Sequence, residues 1–159
     1  MTQRQFCTFF LDQIYFGIDI EAIQEIIRDR PITRVPLAPS DIRGLIDLRG
    51  QIIPVVDLQH RLGIETQVSS LSTDRNVDED GEYNIVIRIA NEIVSLRVDN
   101  IGDIIELADA DLEPPIATLQ GNLRNFLQGV YKLDRNFLLV LDPEKVLATK
   151  ARTPITSLD

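Results

Sequence analysis

Gly44-Leu45-Ile46-Asp47-Leu48-Arg49-Gly50-Gln51-Ile52-Ile53-Pro54-Val55-Val56-Asp57-Leu58 is the stretch that decides the fold of this chain. Two apolar runs, Leu45 to Leu48 and Ile52 to Val56, flank the connection Arg49-Gly50-Gln51. Runs rich in β-branched residues around a short Gly-containing connection predict a β-hairpin, with Gly50 supplying a positive φ. Pro54 has no N–H to donate to a ladder, so the second strand is expected at a sheet edge or with a bulge. Asp57 is an N-cap residue ahead of Leu58 to Leu62, and Gly63 is placed to end that short helix.

Outward from this hairpin the chain reads as short elements. Phe6–Leu11 and Ile14–Ile18 form a second hairpin with Asp12-Gln13 at its tip. Asp19 is expected to cap a helix carrying Ile20, Ile23, Ile26 and Ile27 at helical spacing, ended by Asp29-Arg30-Pro31. Ile32 to Val35 reads as a short strand stopped by Pro36 and Pro39. Residues 64–82 are different in character: six acids against one Arg give −5, and large apolar groups are few, so this segment reads as a solvated acidic loop.

The pattern then restarts. Ile89 to Leu96 falls on Leu11 to Ile18 at an offset of 78, and Ile101 to Ile105 falls on Ile23 to Ile27 at the same offset. Val130 to Leu141 repeats the central hairpin, and Asp142-Pro143 falls on Asp57-Leu58 at an offset of 85, opening a second capped helix. Two halves of like topology follow, residues 6–63 and 83–147, each with about five short strands that bury their faces best by curling into a small barrel. A tail over 148–159 completes the chain. The expected class is mainly β.

Composition narrows the function. The 159 residues, 44% hydrophobic and 26% charged, belong to an ordinary globular chain. A net charge of −9 disfavours nucleic acid and anionic membrane surfaces. One Cys, Cys7, permits no internal disulfide and fits a reducing cytosol; no run approaches a membrane span, so a cytoplasmic protein is expected. His60 stands without the partners of a metal site or a triad and reads as a surface imidazole. The acids Asp99, Asp103, Glu106, Asp109 and Asp111 lack calcium-loop spacing. No phosphate loop, HExxH or GxSxG occurs, so no enzyme activity and no cofactor are expected. Asp57 after Ile-Pro-Val-Val invites a phosphoacceptor reading. A receiver domain needs a helical crossover that cannot fit between Leu48 and Ile52, and Asp142 repeats Asp57 as a shared cap does.

The motif from Gly44 to Leu58, with Phe16-Gly17-Ile18-Asp19-Ile20, Gln24-Glu25-Ile26 and Pro31 to Pro36, resembles the CheW family over about Phe6 to Leu147. That resemblance implies two SH3-like five-stranded β-barrel subdomains with short helices on a shared core. It implies a non-enzymatic adaptor that couples the cytoplasmic tip of chemoreceptors to the regulatory domain of a CheA-like histidine kinase. The pathway is open between flagellar chemotaxis, pilus motility and phototaxis. Glu25 and Arg49 match the family's receptor-coupling residues; from sequence alone they read equally as a solvated surface pair. Gly44, Ile26 and Ile27 join them as expected partner-binding positions, and a groove beside the central hairpin is expected to take the receptor's helical hairpin.

Overall fold

A computed structural model describes residues 2–28, 30–64, 83–115, 119 and 122–151. The expected acidic loop and the end of the tail fall almost wholly outside these residues.

In the first half, strands β1 (Gln3–Leu11), β2 (Ile14–Asp19), β3 (Ile23–Arg28), β4 (Ile42–Leu48) and β5 (Gln51–Asp57) lead into helix α1 (Leu58–Leu62). In the second, β6 (Tyr83–Ile89), β7 (Glu92–Val98), β8 (Asn100–Ala108), β9 (Leu127–Lys132) and β10 (Phe137–Leu141) lead into helix α2 (Pro143–Ala151). The two five-stranded sheets run β8-β1-β2-β10-β9 and β3-β6-β7-β5-β4.

The sheet composition corrects the expected subdomains. The halves 6–63 and 83–147 do not each form a sheet; they exchange strands. Each sheet takes the first two strands of one half and the last three of the other. Shifting every strand by one half converts one sheet order into the other, so the sequence repeat survives as a pseudo-twofold relation. The junctions keep the same register. Val55 pairs with Ser95 where β5 runs parallel to β7, and Val140 pairs with Gly17 where β10 runs parallel to β2.

Each sheet curls on a small core of its own. Ile27 from one edge strand and Ile46 and Leu48 from the other meet Ile53, Val55 and Val86 in one cluster, which requires the two edges to approach. Phe6, Tyr131, Leu138 and Val140 fill the other unit. A larger core that includes Phe9, Phe16, Leu58, Ile85, Leu96 and Leu141 lies between the sheets and is shared by both halves. Burying a side chain of this size contributes roughly 1.5–3 kcal/mol, so the shared core ties the units into one cooperative structure.

The segment after Asp19 departs from expectation. The Asp19 carboxylate accepts from Glu21 N at 2.9 Å, but it caps only the 3-10 turn Ile20–Ala22, and 23–28 is a strand. Ile23, Glu25 and Ile27 are turned inward while Gln24, Ile26 and Arg28 are exposed, a period of two. β-branched residues pay a χ1 penalty in a helix, and β6 offers an antiparallel ladder from Ile23↔Ile87 to Arg28↔Tyr83, interrupted by a bulge between Ile23 and Glu25. The expected strand over 32–35 shrinks to one bridge, Thr33↔Leu45, with N–H···O distances of 2.8 Å in both directions.

That bridge explains a glycine. Gly44 lies buried at φ 151°, and a Cβ there would collide with the Thr33 carbonyl oxygen and stand 2.7 Å from Ile32 Cγ2. Gly129, its counterpart at offset 85, lies under the Glu113↔Val130 bridge in the same way, with Leu112 Cδ1 2.9 Å from a would-be Cβ. Gly44 therefore acts in folding and has no side chain or open surface to offer a partner, which corrects its expected binding role. Gly44→Ala is expected to cost about 2–4 kcal/mol, from φ strain and overlap with backbone. Thermal unfolding monitored by circular dichroism checks this; an unchanged melting temperature contradicts it.

Candidate functional site

The central hairpin sets the site's geometry. Gln51 pairs with Leu48, so the connection is two residues long instead of three, and Arg49 (φ 54°) and Gly50 (φ 89°) both adopt left-handed conformations. This is the turn whose twist matches that of the flanking strands. Asp47 steadies it by accepting the Gly50 N–H at 2.8 Å. Pro54 is not on an edge strand, since β5 lies between β7 and β4. Its missing donor is accommodated because β5 pairs with β7 only from Val55 onward, and the bulge lies opposite, in β4 between Ile42 and Gly44.

At the tip, Arg49 reaches across the seam of the curled sheet to Glu25 on β3. Arg49 Nη1 donates to Glu25 Oε1 at 3.3 Å and Nη2 to Oε2, a fork-to-fork pair. The Arg49 side chain is 65% exposed and that of Glu25 26%. The Arg49 hydrogen bond holds the Glu25 carboxyl below the ordinary Glu range, against a smaller opposing effect of burial, and the same bond raises the Arg49 guanidinium. The pair is intact at neutral pH and is lost only as pH falls through the depressed Glu25 value. Water screens such a pair, so its contribution to folding is small. What it presents is a planar guanidinium at a hairpin tip.

The two isoleucines expected at a docking edge part company. Ile26 is 41% exposed on the outer face of edge strand β3. Ile27 is buried in the small core, so the structure removes it from any free surface. A helical face would have carried both; alternation along a strand separates them.

Sequence reasoning missed a set of exposed apolar side chains. Ile104 is 59% exposed and stands 78 residues beyond Ile26; Phe137 is 46% exposed and stands 85 beyond Ile52, itself 58% exposed. Both units thus display a large apolar side chain at the same two structural positions. The repeat offsets would have exposed this correspondence had they been read for the outward positions of each strand as well as for the core.

Beside the hairpin, a groove of about 400 Å³ is lined by Ile42, Pro54, Val56, Ile93, Val94 and Leu147, together with the nearly buried Arg61 and the exposed Glu92. In the other unit the positions equivalent to Ile42, Pro54, Val56 and Val94 are Leu127, Leu139, Leu141 and Phe16, all buried.

Asp57 caps α1 by accepting from His60 N at 3.2 Å, and Asp142 caps α2 by accepting from Glu144 N at 3.0 Å. The shared-cap reading of both holds. His60 is exposed, with Nε2 2.9 Å from Ser40 Oγ, and Cys7 is buried, which pushes its thiol up. Among the described residues, no group of three His, Cys, Asp or Glu side chains is placed to hold a metal ion, and no helix is long and apolar enough to cross a membrane.

Comparison with known proteins matches residues 5–151 to the CheW-like domain. The chemotaxis protein CheW of Treponema pallidum is 26% identical over 156 residues, covering 98% of this chain and 89% of that protein. CheW of Rhizobium meliloti is 29% identical over 149 residues, covering 94% and 90%. Among solved structures, the scaffolding protein TtCheW of Thermoanaerobacter tengcongensis superposes with a TM-score of 0.75 at 29% identity, covering 89% of this chain and 86% of that one.

Proposed function

The chain belongs to the CheW family, and from that premise we propose that it is a non-enzymatic adaptor coupling chemoreceptors to a CheA-type histidine kinase. The observation that carries the reading is the exposed Arg49–Glu25 fork held across the seam at a tight turn, on a chain that matches the family almost end to end. An ion pair so open to water does little for folding, while its outward-facing guanidinium suits bidentate recognition of a partner's carboxylate or carbonyl oxygens.

The two partners use different surfaces. The regulatory domain of the kinase docks on the edge of the β3 sheet, where Ile26 supplies apolar contact area. The cytoplasmic tip of a receptor, a helical hairpin, lays an apolar face into the groove beside the central hairpin. The protein works in the cytoplasm and is held at receptor arrays through these contacts, with no insertion of its own into the membrane.

Sedimentation of the chain with its cognate kinase domain and a receptor cytoplasmic fragment tests the reading, with a ternary complex expected. Ile26→Asp should weaken kinase binding about tenfold or more while the melting temperature holds, since an exposed side chain is exchanged on the folded chain. Full kinase affinity in the variant removes Ile26 from the interface; failure of the parent chain to bind either partner removes the adaptor role.

A further inference from the structure

Arg61 is a residue the sequence reading did not single out. It sits on α1 with a side chain only 3% exposed, and it lines the groove. Its Nε donates to Asp41 Oδ2 at 2.7 Å and its Nη1 to the Val146 carbonyl on α2 at 3.0 Å. Its Nη2 is buried and has no hydrogen-bond acceptor among the described residues. A guanidinium has five N–H donors, and buried donors without an acceptor are rare in folded proteins. Val146 is the counterpart of Arg61 at offset 85, so the pseudo-twofold relation breaks between these two residues. One unit has a cation at that position, and the other has a fully buried valine.

We propose that Arg61 is the polar anchor of the groove and that its Nη2 donates to a main-chain carbonyl at the C-terminal end of a helix, at the turn of the docked hairpin. This rests on the receptor reading above and adds the chemistry and direction of docking. The groove is otherwise mostly apolar, and a docked occupant that brings an acceptor satisfies Nη2. The charge of Arg61 is already opposed by Asp41, which makes a neutral acceptor a better match than a second carboxylate. The last four carbonyls of any helix lack partners within it and carry the negative end of the helix dipole. A helical hairpin presents such an end where its first helix meets the turn. The occupant therefore enters turn first, parts the side chains over Nη2, and seats its apolar face against Ile42, Pro54, Ile93 and Val94.

The test compares the parent chain with Asp41→Asn/Arg61→Met and with Arg61→Lys, using the cytoplasmic hairpin fragment of a chemoreceptor from the same genome as probe. Replacing both members of a buried pair by uncharged groups is often close to neutral for folding, so the double variant should keep its circular dichroism spectrum and melt near the parent. Its affinity for the fragment should fall about tenfold or more. Arg61→Lys should show a comparable loss, because one ammonium held by Asp41 cannot replace the free arm of the fork. In the parent chain, hydrogen exchange at the Arg61 side-chain nitrogens should slow when the fragment is added. Parent-like affinity in either folded variant, or unchanged exchange at Arg61 in a complex that does form, overturns the proposal. Absence of any binding by the parent chain instead overturns the receptor reading on which it stands.

Discussion

Ile27→Asp is expected to destabilise the chain by about 4 kcal/mol or more, the largest stability effect predicted for any substitution considered. Ile27 fills the small core of the β3 sheet against Ile46, Leu48, Ile53, Val55 and Val86. Removing a buried isoleucine alone costs about 2–5 kcal/mol, and a carboxylate left there adds the cost of desolvation or of taking up a proton. The neighbouring Ile26→Asp should leave the melting temperature within a few degrees, because Ile26 faces water. Adjacent residues with opposite outcomes distinguish a strand from the helix that their spacing first implies. Equal melting temperatures for Ile27→Asp and the parent chain would show that Ile27 is not core.

The second large effect falls on coupling instead of stability. Arg49→Ala and Arg49→Asn should both melt within about 3 °C of the parent, since only a screened surface pair with Glu25 is lost. Asn is the more informative replacement. The turn holds Arg49 at φ 54°, a conformation that Asn adopts more readily than Arg, so local folding gives no reason for Arg at this position. Uncommon backbone conformations of this kind gather at functional sites. On the proposed adaptor role both variants bind less tightly at the desolvated interface, and receptor control of the kinase drops more than tenfold. Glu25→Gln should share part of the defect, because Arg49 then loses the carboxylate that orients it. A folded Arg49→Asn protein that couples normally would reduce the fork to an ordinary surface pair.

Much of this was legible in the residues, and the failures have physical causes. The central hairpin, its Asp57 cap, the Gly63 stop and the twofold repeat all rest on local chemistry, and all are present. Residues 23–28 read as helical because Ile20, Ile23, Ile26 and Ile27 satisfy a helical spacing, while the strand depends on a ladder with β6, some 60 residues away in sequence. Tertiary pairing overrode the local pattern. The exchange of strands between halves was invisible for the same reason. An internal repeat reveals that two units are alike and does not reveal which copy of a strand completes which sheet. Of the expected site residues, Glu25 and Arg49 are in contact, whereas Gly44 and Ile27 are buried within the fold. Arg61 escaped notice because its importance lies in what its third nitrogen lacks, which only side-chain geometry can show.

The most direct test of the adaptor role is the autophosphorylation rate of the cognate kinase, reconstituted with a receptor cytoplasmic fragment, with and without this chain. The account predicts that receptor-dependent change in that rate appears only when the chain is present, rises with its concentration toward a fixed stoichiometry, and leaves no phosphate on Asp57. Receptor control of equal size without the chain, or acid-labile phosphate accumulating on Asp57, would contradict it.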